Sequence, residues 1–172
     1  MVLQFKFSFL LFSVLSCLLL YSCKSDQVPD ASDAKLLNLA KNTSGFVWYN
    51  LTDTLLPHSS GSGHGQPFLR TRYNAIAATQ LDATGKVIPG SLFPEGSLIV
   101  KELYLADSIF DRYAILYKDS DSESADAQGW VWGYINADET VAVAASLKGS
   151  SCIACHSQVD HIDYMLMNKY FP

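Results

Sequence analysis

The chain has 172 residues, 49% of them hydrophobic, and a formal net charge of −5 at pH 7. This length is that of about one domain and is sufficient for a substantial core. The acidic balance, without a basic stripe along the sequence, argues against nucleic acid as a partner.

Residues 1–22 predict a signal peptide. Lys6 is their only charged residue, and a largely apolar run from Phe7 to Tyr21 is too short to favour a transmembrane helix. The run ends in the letters LYSC at Cys23, a pattern that is similar to a bacterial lipobox, in which the cysteine is acylated. An ordinary secretory signal is the alternative. We therefore expect a bacterial, exported protein held by a lipid anchor on Cys23, in the periplasm or at the outer membrane.

Residues 23–44 predict a tether and a short helix. The stretch 24–34 is polar, and Ser32 is placed to cap a helix over residues 33–42. Phe46 to Tyr49 is aromatic and β-branched, which is typical of a first strand. The remaining domain therefore begins near residue 45 and extends to the C-terminus at residue 172.

Residues 57–84 predict a loop, a strand and a second helix. The loop 57–67 is rich in Gly, Ser and Pro, and we expect its His58 and His64 to be solvated. Alternation along the following strand separates two sets of side chains: Phe68, Arg70 and Arg72 on one side, and Leu69, Thr71 and Tyr73 on the other. Asn74 is placed to cap a helix that continues to about Thr84.

The segment Ser97 to Tyr104 predicts a strand with an unusual lysine. Alternation gives Lys101 the same orientation as Ile99 and Leu103. An amine on an apolar face has a lowered pKa and becomes nucleophilic. The alternative is that the aliphatic stem packs while the ammonium reaches water, and alternation by itself favours this alternative.

Two further segments, 113–118 and 130–135, predict paired strands. Trp130, Trp132 and Tyr134 share one face of the second strand, which suits either a core or the wall of a cofactor site. Residues 156–171 predict a helix, in which Met165 and Met167 serve as packing residues.

The stretch Cys152-Ile153-Ala154-Cys155-His156 carries the attachment signature of a c-type haem. Two thiols at this spacing can form thioethers with the two vinyl groups of one porphyrin edge, and the histidine supplies the axial ligand of the iron. A zinc site would need a second ligand pair, and a redox pair normally opens a helix early in a βαβ unit. We therefore predict one covalent haem c, held by Cys152 and Cys155, with iron on His156.

The position of this motif places the haem-binding body upstream of it. Only residues 157–172 follow His156, so the opposite side of the haem must be built from earlier residues. His58 or His64 could supply a distal ligand, although their loop composition favours solvent exposure. Covalent haem attachment outside the cytoplasm also agrees with the predicted export.

Four stretches together resemble the cytochrome P-460 family, which includes the cytochromes c′-beta. They are PFLRTRY at 67–73, FPEGSLIVKEL at 93–103, YKD at 117–119 before Gly129-Trp130, and CIACH at 152–156, followed by Asp163 and the terminal YFP. The resemblance implies an α+β fold, mainly an antiparallel sheet with a few helices. It also implies a haem domain over residues 45–172 with a five-coordinate iron and an open distal side.

The same resemblance implies roles for two further residues. The lysine that is cross-linked to the porphyrin in the P-460 branch falls on Lys101, which outweighs the packing alternative, and the distal-pocket arginine falls on Arg70. A distal carboxylate that accepts protons during hydroxylamine oxidation would fall on Ala114, and Asp111 or Glu102 could replace it only if the alignment slips. Without that carboxylate, general-base help is missing.

The sequence therefore predicts a haem protein that binds nitric oxide or a similar small ligand. The alternatives are an enzyme that oxidises hydroxylamine or acts like a peroxidase, with a cross-linked Lys101, and an electron-transfer cytochrome. A redox partner and a homodimer are further expectations.

Overall fold

The computed structural model describes residues 30–42 and 44–172. The predicted signal peptide, Cys23 and most of the polar tether lie outside these residues. Within the described ranges, no helix combines the length and the apolar character that a membrane crossing requires.

One seven-stranded antiparallel sheet forms the body of the protein. The strands are β1 (Val47–Trp48), β2 (Leu56–Pro57), β3 (Phe68–Tyr73), β4 (Leu98–Ala106), β5 (Ile109–Lys118), β6 (Trp130–Asn136) and β7 (Val141–Val143). The main path of the sheet runs in the order β1-β3-β4-β5-β6-β7, and β2 pairs with the opposite end of β3 from β1. This architecture confirms the predicted α+β class with a mainly antiparallel sheet.

The helices are few and short. They are α1 (Ala31–Lys41), α2 (Ala75–Ala78), α3 (Ile153–His156) and α4 (Met167–Tyr170), with 3-10 turns at Tyr49–Leu51 and Ala145–Leu147. Asn74 caps α2 through a bond from the Ala77 N–H, as predicted, whereas α1 is capped by Asp30 and not by Ser32.

Two predicted helices are much shorter than expected. The helix predicted over residues 75–84 ends at Ala78, and the chain then turns so that Leu81 pairs with Val87. The helix predicted over residues 156–171 is reduced to α4, because Asp163 and Tyr164 have positive φ and interrupt it.

The sheet buries a different cluster on each face. The face that we call the α1 face packs α1 against Val100, Ile115, Val131 and Ile135. The opposite face, which we call the cavity face, carries a core that includes Leu69, Ile99, Leu103, Leu116 and Trp132. The C-terminal residues 162–167 pack on the cavity face, with Met165 and Met167 both buried in its core.

A charged network crosses the α1 face. Arg72 is fully buried and donates to Glu102 Oε1 at 3.0 Å, to Asn42 O at 2.7 Å and to Ala40 O. Arg70 donates to the other carboxylate oxygen, Oε2, at 2.7 Å. This arrangement ties the C-terminal end of α1 to the middle of the sheet, where a cation also complements the helix dipole.

Candidate haem site

The Cys-x-x-Cys-His segment lies as one helical turn on the cavity face. Its approach depends on Gly149, whose φ is +69° and where an added Cβ would come within 2.6 Å of Trp132 Cδ1. The turn is closed by bonds from the Cys155 and His156 N–H groups to Cys152 O, both 3.1 Å. Gly149 therefore lets the chain pass close to β6 and deliver the two thiols and the imidazole to the sheet.

The His156 ring is oriented for metal ligation. Its Nδ1 lies 2.7 Å from the carbonyl oxygen of Tyr164, which can only accept, so Nδ1 carries the proton and Nε2 keeps its lone pair. Burial, the largest cause, lowers the pKa of His156 to about 4 and keeps the ring neutral. The edge of Trp132, with ring centroids 5.1 Å apart, fixes the ring further.

A cavity of about 200 Å³ lies between this turn and the sheet. A second hollow of about 30 Å³ shares part of its lining and reaches deeper towards β4 and β5. The residues that line both are His64, Lys101, Tyr134, Cys152, His156 and Leu166. None of the described residues that line either hollow is an aspartate or a glutamate.

Lys101 extends from the middle of β4 into this cavity, in agreement with strand alternation. Its neighbours across the sheet are Thr71 on β3 and Ala114 on β5. Within the described part of the chain, its amine takes part in no ion pair. Burial lowers the pKa of Lys101 to about 8, so a larger neutral fraction is present near neutral pH than in a solvated lysine.

His64 also lines the cavity, and the expectation that it is solvated is wrong. Its Nδ1 lies 2.8 Å from the Tyr134 hydroxyl, and the two rings stack at 5.8 Å. Burial, followed by the charges of Lys101 and His156, lowers the pKa of His64 to about 2. His58, in the same loop, is exposed, as predicted, with Nε2 3.3 Å from Ser62 O.

Arg70 is not in the cavity, contrary to the role that the resemblance implies. It lies on the α1 face beside Glu102, and its guanidinium stacks over the Trp48 ring at 4.7 Å. The two carboxylates that could have replaced the missing distal one are also elsewhere. Glu102 belongs to the same α1-face network, and Asp111 accepts bonds from Gln66 and Arg112.

The comparison with protein-family models matches residues 68–167 to the family described as Cytochrome P460. The chain belongs to the cytochrome P460 family. The matched segment begins at β3 and ends in the buried C-terminal stretch, so it contains Lys101 and the Cys-x-x-Cys-His segment, whereas His64 lies before it. Neither the curated proteins nor the solved structures gave a significant match.

Membership of the cytochrome P460 family indicates a haem cofactor, and the donor set fits one. The neutral imidazole of His156 and the thiols of Cys152 and Cys155 face a largely apolar cavity walled by Trp132. In the described residues, no group of three or more His, Cys, Asp and Glu side chains encloses a metal ion without such a cofactor. Cys152 and Cys155 are free thiols, available for thioether bonds.

Sequence reasoning missed three parts of this P460-family site. The Tyr164 carbonyl and Gly149 act through backbone geometry, which leaves no signature in side-chain spacing. Tyr134 was expected on an aromatic wall, but its bond to His64 joins residues 70 positions apart in the sequence. Of these features, only the positive φ of Gly149 had a signal in the sequence, because glycine is the residue that adopts a positive φ most readily.

Proposed function

We propose that the protein is an exported c-type cytochrome that holds one haem by thioether bonds to Cys152 and Cys155. His156 would ligate the iron of this haem, with its ring positioned by the Tyr164 carbonyl through the 2.7 Å bond to Nδ1. Such a bond fixes the tautomer and raises the basicity of the ligating nitrogen. Each thioether forms by addition of an S–H group across a vinyl double bond, so no external oxidant is required.

The ligand that the cavity favours is nitric oxide or a similar small, uncharged molecule. The observation that carries this proposal is Ala114, which lies directly across the sheet from Lys101, at the position where the resemblance places a proton-accepting carboxylate. The bound haem would supply an iron that takes up diatomic ligands. The protein supplies apolar walls from Ile99, Ala114 and Leu116, which disfavour charged substrates.

A second candidate, oxidation of hydroxylamine, rests on Lys101. Its buried amine faces the same cavity as both thiols and His156, as required for a bond to the porphyrin edge. Formation of that bond replaces one porphyrin C–H and one N–H and removes two electrons and two protons. An oxidant such as hydrogen peroxide must accept them. The cross-link would change the electronics of the cofactor.

The experiment compares wild type with Lys101→Arg and Ala114→Glu. The reduced wild-type protein should bind NO and CO, and turnover of hydroxylamine with an electron acceptor should not exceed that of free haem. Ala114→Glu restores a carboxylate beside Lys101 and should raise hydroxylamine turnover if a general base is what is missing. Wild-type turnover that Ala114→Glu leaves unchanged would contradict the ligand-binding assignment and favour the enzyme.

The state of Lys101 is read independently by peptide mass spectrometry. A cross-link joins the peptide with Lys101 to the peptide with Cys152 and Cys155 through the haem and red-shifts the reduced Soret band. Lys101→Arg should abolish both signals, because a guanidinium remains protonated and is a poor nucleophile. An ordinary c-haem spectrum with no such product in wild type would show that Lys101 has only a packing role.

We further propose that acylated Cys23 holds the protein at the periplasmic side of a bacterial membrane, where a redox partner can reach the haem. Cys23→Ala should move the protein from the membrane fraction to the soluble periplasmic fraction. Retention of the variant in the membrane would contradict the anchor. The mass of the purified protein would show whether it is a homodimer.

A further inference from the structure

The loop between β2 and β3 places a second imidazole opposite the axial histidine. The ring centroids of His64 and His156 are 6.2 Å apart, and the ring planes are at 81° to each other. The loop is fixed in this position by pairing of Leu56 with Leu69 and by the bond from the His58 N–H to Pro67 O at 2.8 Å. This part of the chain therefore holds His64 within the site, not in solvent.

The separation of the two rings matches that of two imidazoles on one metal ion. A metal–imidazole bond is about 2 Å long, and the ring centre lies about 1 Å beyond the nitrogen, so two opposed ligands place their centroids about 6 Å apart. A direct edge-to-face contact between the rings has a similar separation, so the distance is compatible with a metal ion between them but does not require one.

Both rings also direct the same nitrogen to hydrogen bonds and leave the other available. Nδ1 of His156 donates to Tyr164 O, and Nδ1 of His64 is bonded to the Tyr134 hydroxyl at 2.8 Å. In the described residues, neither Nε2 has a hydrogen-bond partner. Metal-ligating histidines commonly fix their other ring nitrogen in this way.

We infer that His64 is the second axial ligand of the haem iron, with its Nε2 lone pair as the donor. The inference rests on the proposed covalent haem and deepens it. Tyr134 is a positioning residue, whose hydroxyl oxygen accepts a hydrogen bond from His64 Nδ1–H and holds the ring. A small ligand must then displace His64, so the loop controls access to the iron and holds the resting protein in a six-coordinate, low-spin state.

The affinity for a small ligand depends on the fraction of protein molecules in which His64 is dissociated from the iron. If that fraction is about 1%, the apparent affinity for a small ligand is about 100-fold lower than the intrinsic affinity. Removal of the imidazole should therefore raise the affinity of the reduced protein for CO by about 100-fold. It should also convert the oxidised protein from low-spin to high-spin.

The experiment records electron paramagnetic resonance, near-infrared magnetic circular dichroism and CO binding on the haem-loaded protein. Wild type should show a low-spin iron with two imidazole ligands, and His64→Ala a high-spin iron. His58→Ala is the matched control, since His58 is exposed in the same loop, and it should resemble wild type. Free imidazole should restore the low-spin state in His64→Gly, and Tyr134→Phe should give a mixture of the two states.

The following spectroscopic outcomes would each contradict the assignment of His64 as a ligand. A high-spin wild-type iron, or a low-spin iron that persists in His64→Ala, shows that His64 is not the ligand. Loss of the low-spin state in Lys101→Met with His64 intact would assign the sixth position to the amine. A pyridine haemochrome assay separates the two proposals: absence of covalent haem refutes the proposed function, whereas covalent high-spin haem refutes only the role of His64.

Discussion

Substitution of Glu102 by glutamine tests the charged network that joins α1 to the sheet. Glu102 is the shared partner of two arginines, and its side chain is only 6% exposed. Arg72, the deeper of the two, has 0% side-chain exposure. Glu102→Gln retains the shape of the side chain but leaves Arg72 and Arg70 without a neutralising charge.

The expected loss of stability is large for a single substitution. Removal of one partner from a buried ion pair costs about 3–5 kcal/mol, because the remaining charge is desolvated and unpaired. We therefore expect Glu102→Gln to lower the free energy of unfolding by at least about 3 kcal/mol. Arg70→Ala should lower it by only about 1 kcal/mol, because Arg70 is 27% exposed and its loss leaves the Arg72–Glu102 pair intact.

Urea denaturation followed by circular dichroism measures both values. The denaturation midpoint should fall while the slope stays the same, since the surface exposed on unfolding is unchanged. A loss below about 1 kcal/mol in Glu102→Gln would refute the view that Arg72 depends on this carboxylate. The haem absorption spectrum of Arg70→Ala should match wild type, and a change in it would place Arg70 in the haem pocket.

Three further predictions concern single positions. Gly149→Ala should reduce the yield of covalent haem per chain, because φ at this position is +69° and the new Cβ would lie 2.6 Å from Trp132 Cδ1. A yield equal to that of wild type would contradict this prediction. Peroxide-dependent cross-linking of Lys101 should accelerate as pH rises through about 8, because the neutral amine becomes the major form there. A cross-linking rate that does not change with pH would exclude the amine as the nucleophile. Asp163 accepts from Trp130 Nε1 at 3.1 Å with one carboxylate oxygen and from the Phe93 N–H at 2.9 Å with the other. Asp163→Asn should lower the melting temperature, because the NH2 group that replaces one oxygen cannot accept, so one buried donor loses its partner, and an unchanged melting temperature would contradict this.

Strand alternation predicted the orientation of the central side chains correctly. Lys101 and Thr71 face the cavity together, because residues directly opposite in an antiparallel pair share a face. The same alternation places Arg70 on the other face, so the structure agrees with the residue pattern and not with the role implied by resemblance. Period-two patterns are reliable here because both faces of the sheet are buried.

The C-terminal segment could not be predicted from the same kind of pattern. Ile162, Met165 and Leu166 are spaced as in a helix, but Tyr164 must turn its carbonyl towards His156 Nδ1. Tyr164 has a positive φ, which interrupts a helix. The contact with His156 therefore accompanies a backbone that the side-chain spacing of this segment does not predict.

The position of His64 was also beyond sequence reasoning. The Gly and Ser residues around it predict a solvated loop. The same composition is compatible with a loop that folds back onto the protein, so composition does not distinguish the two conformations. The position of His64 is determined by the 2.8 Å hydrogen bond between its Nδ1 and the Tyr134 hydroxyl and by the open space beside His156. Tertiary contacts of this kind are visible only once β6 and the loop are brought together.

The central claim, a covalent haem on Cys152 and Cys155, is tested most directly by the intact mass of the purified protein after extraction with acidified acetone. The account predicts that each chain keeps the mass of one haem after this treatment, and that Cys152→Ala combined with Cys155→Ala removes it. A wild-type chain that loses its haem to the solvent, or that never carries one, would contradict the account.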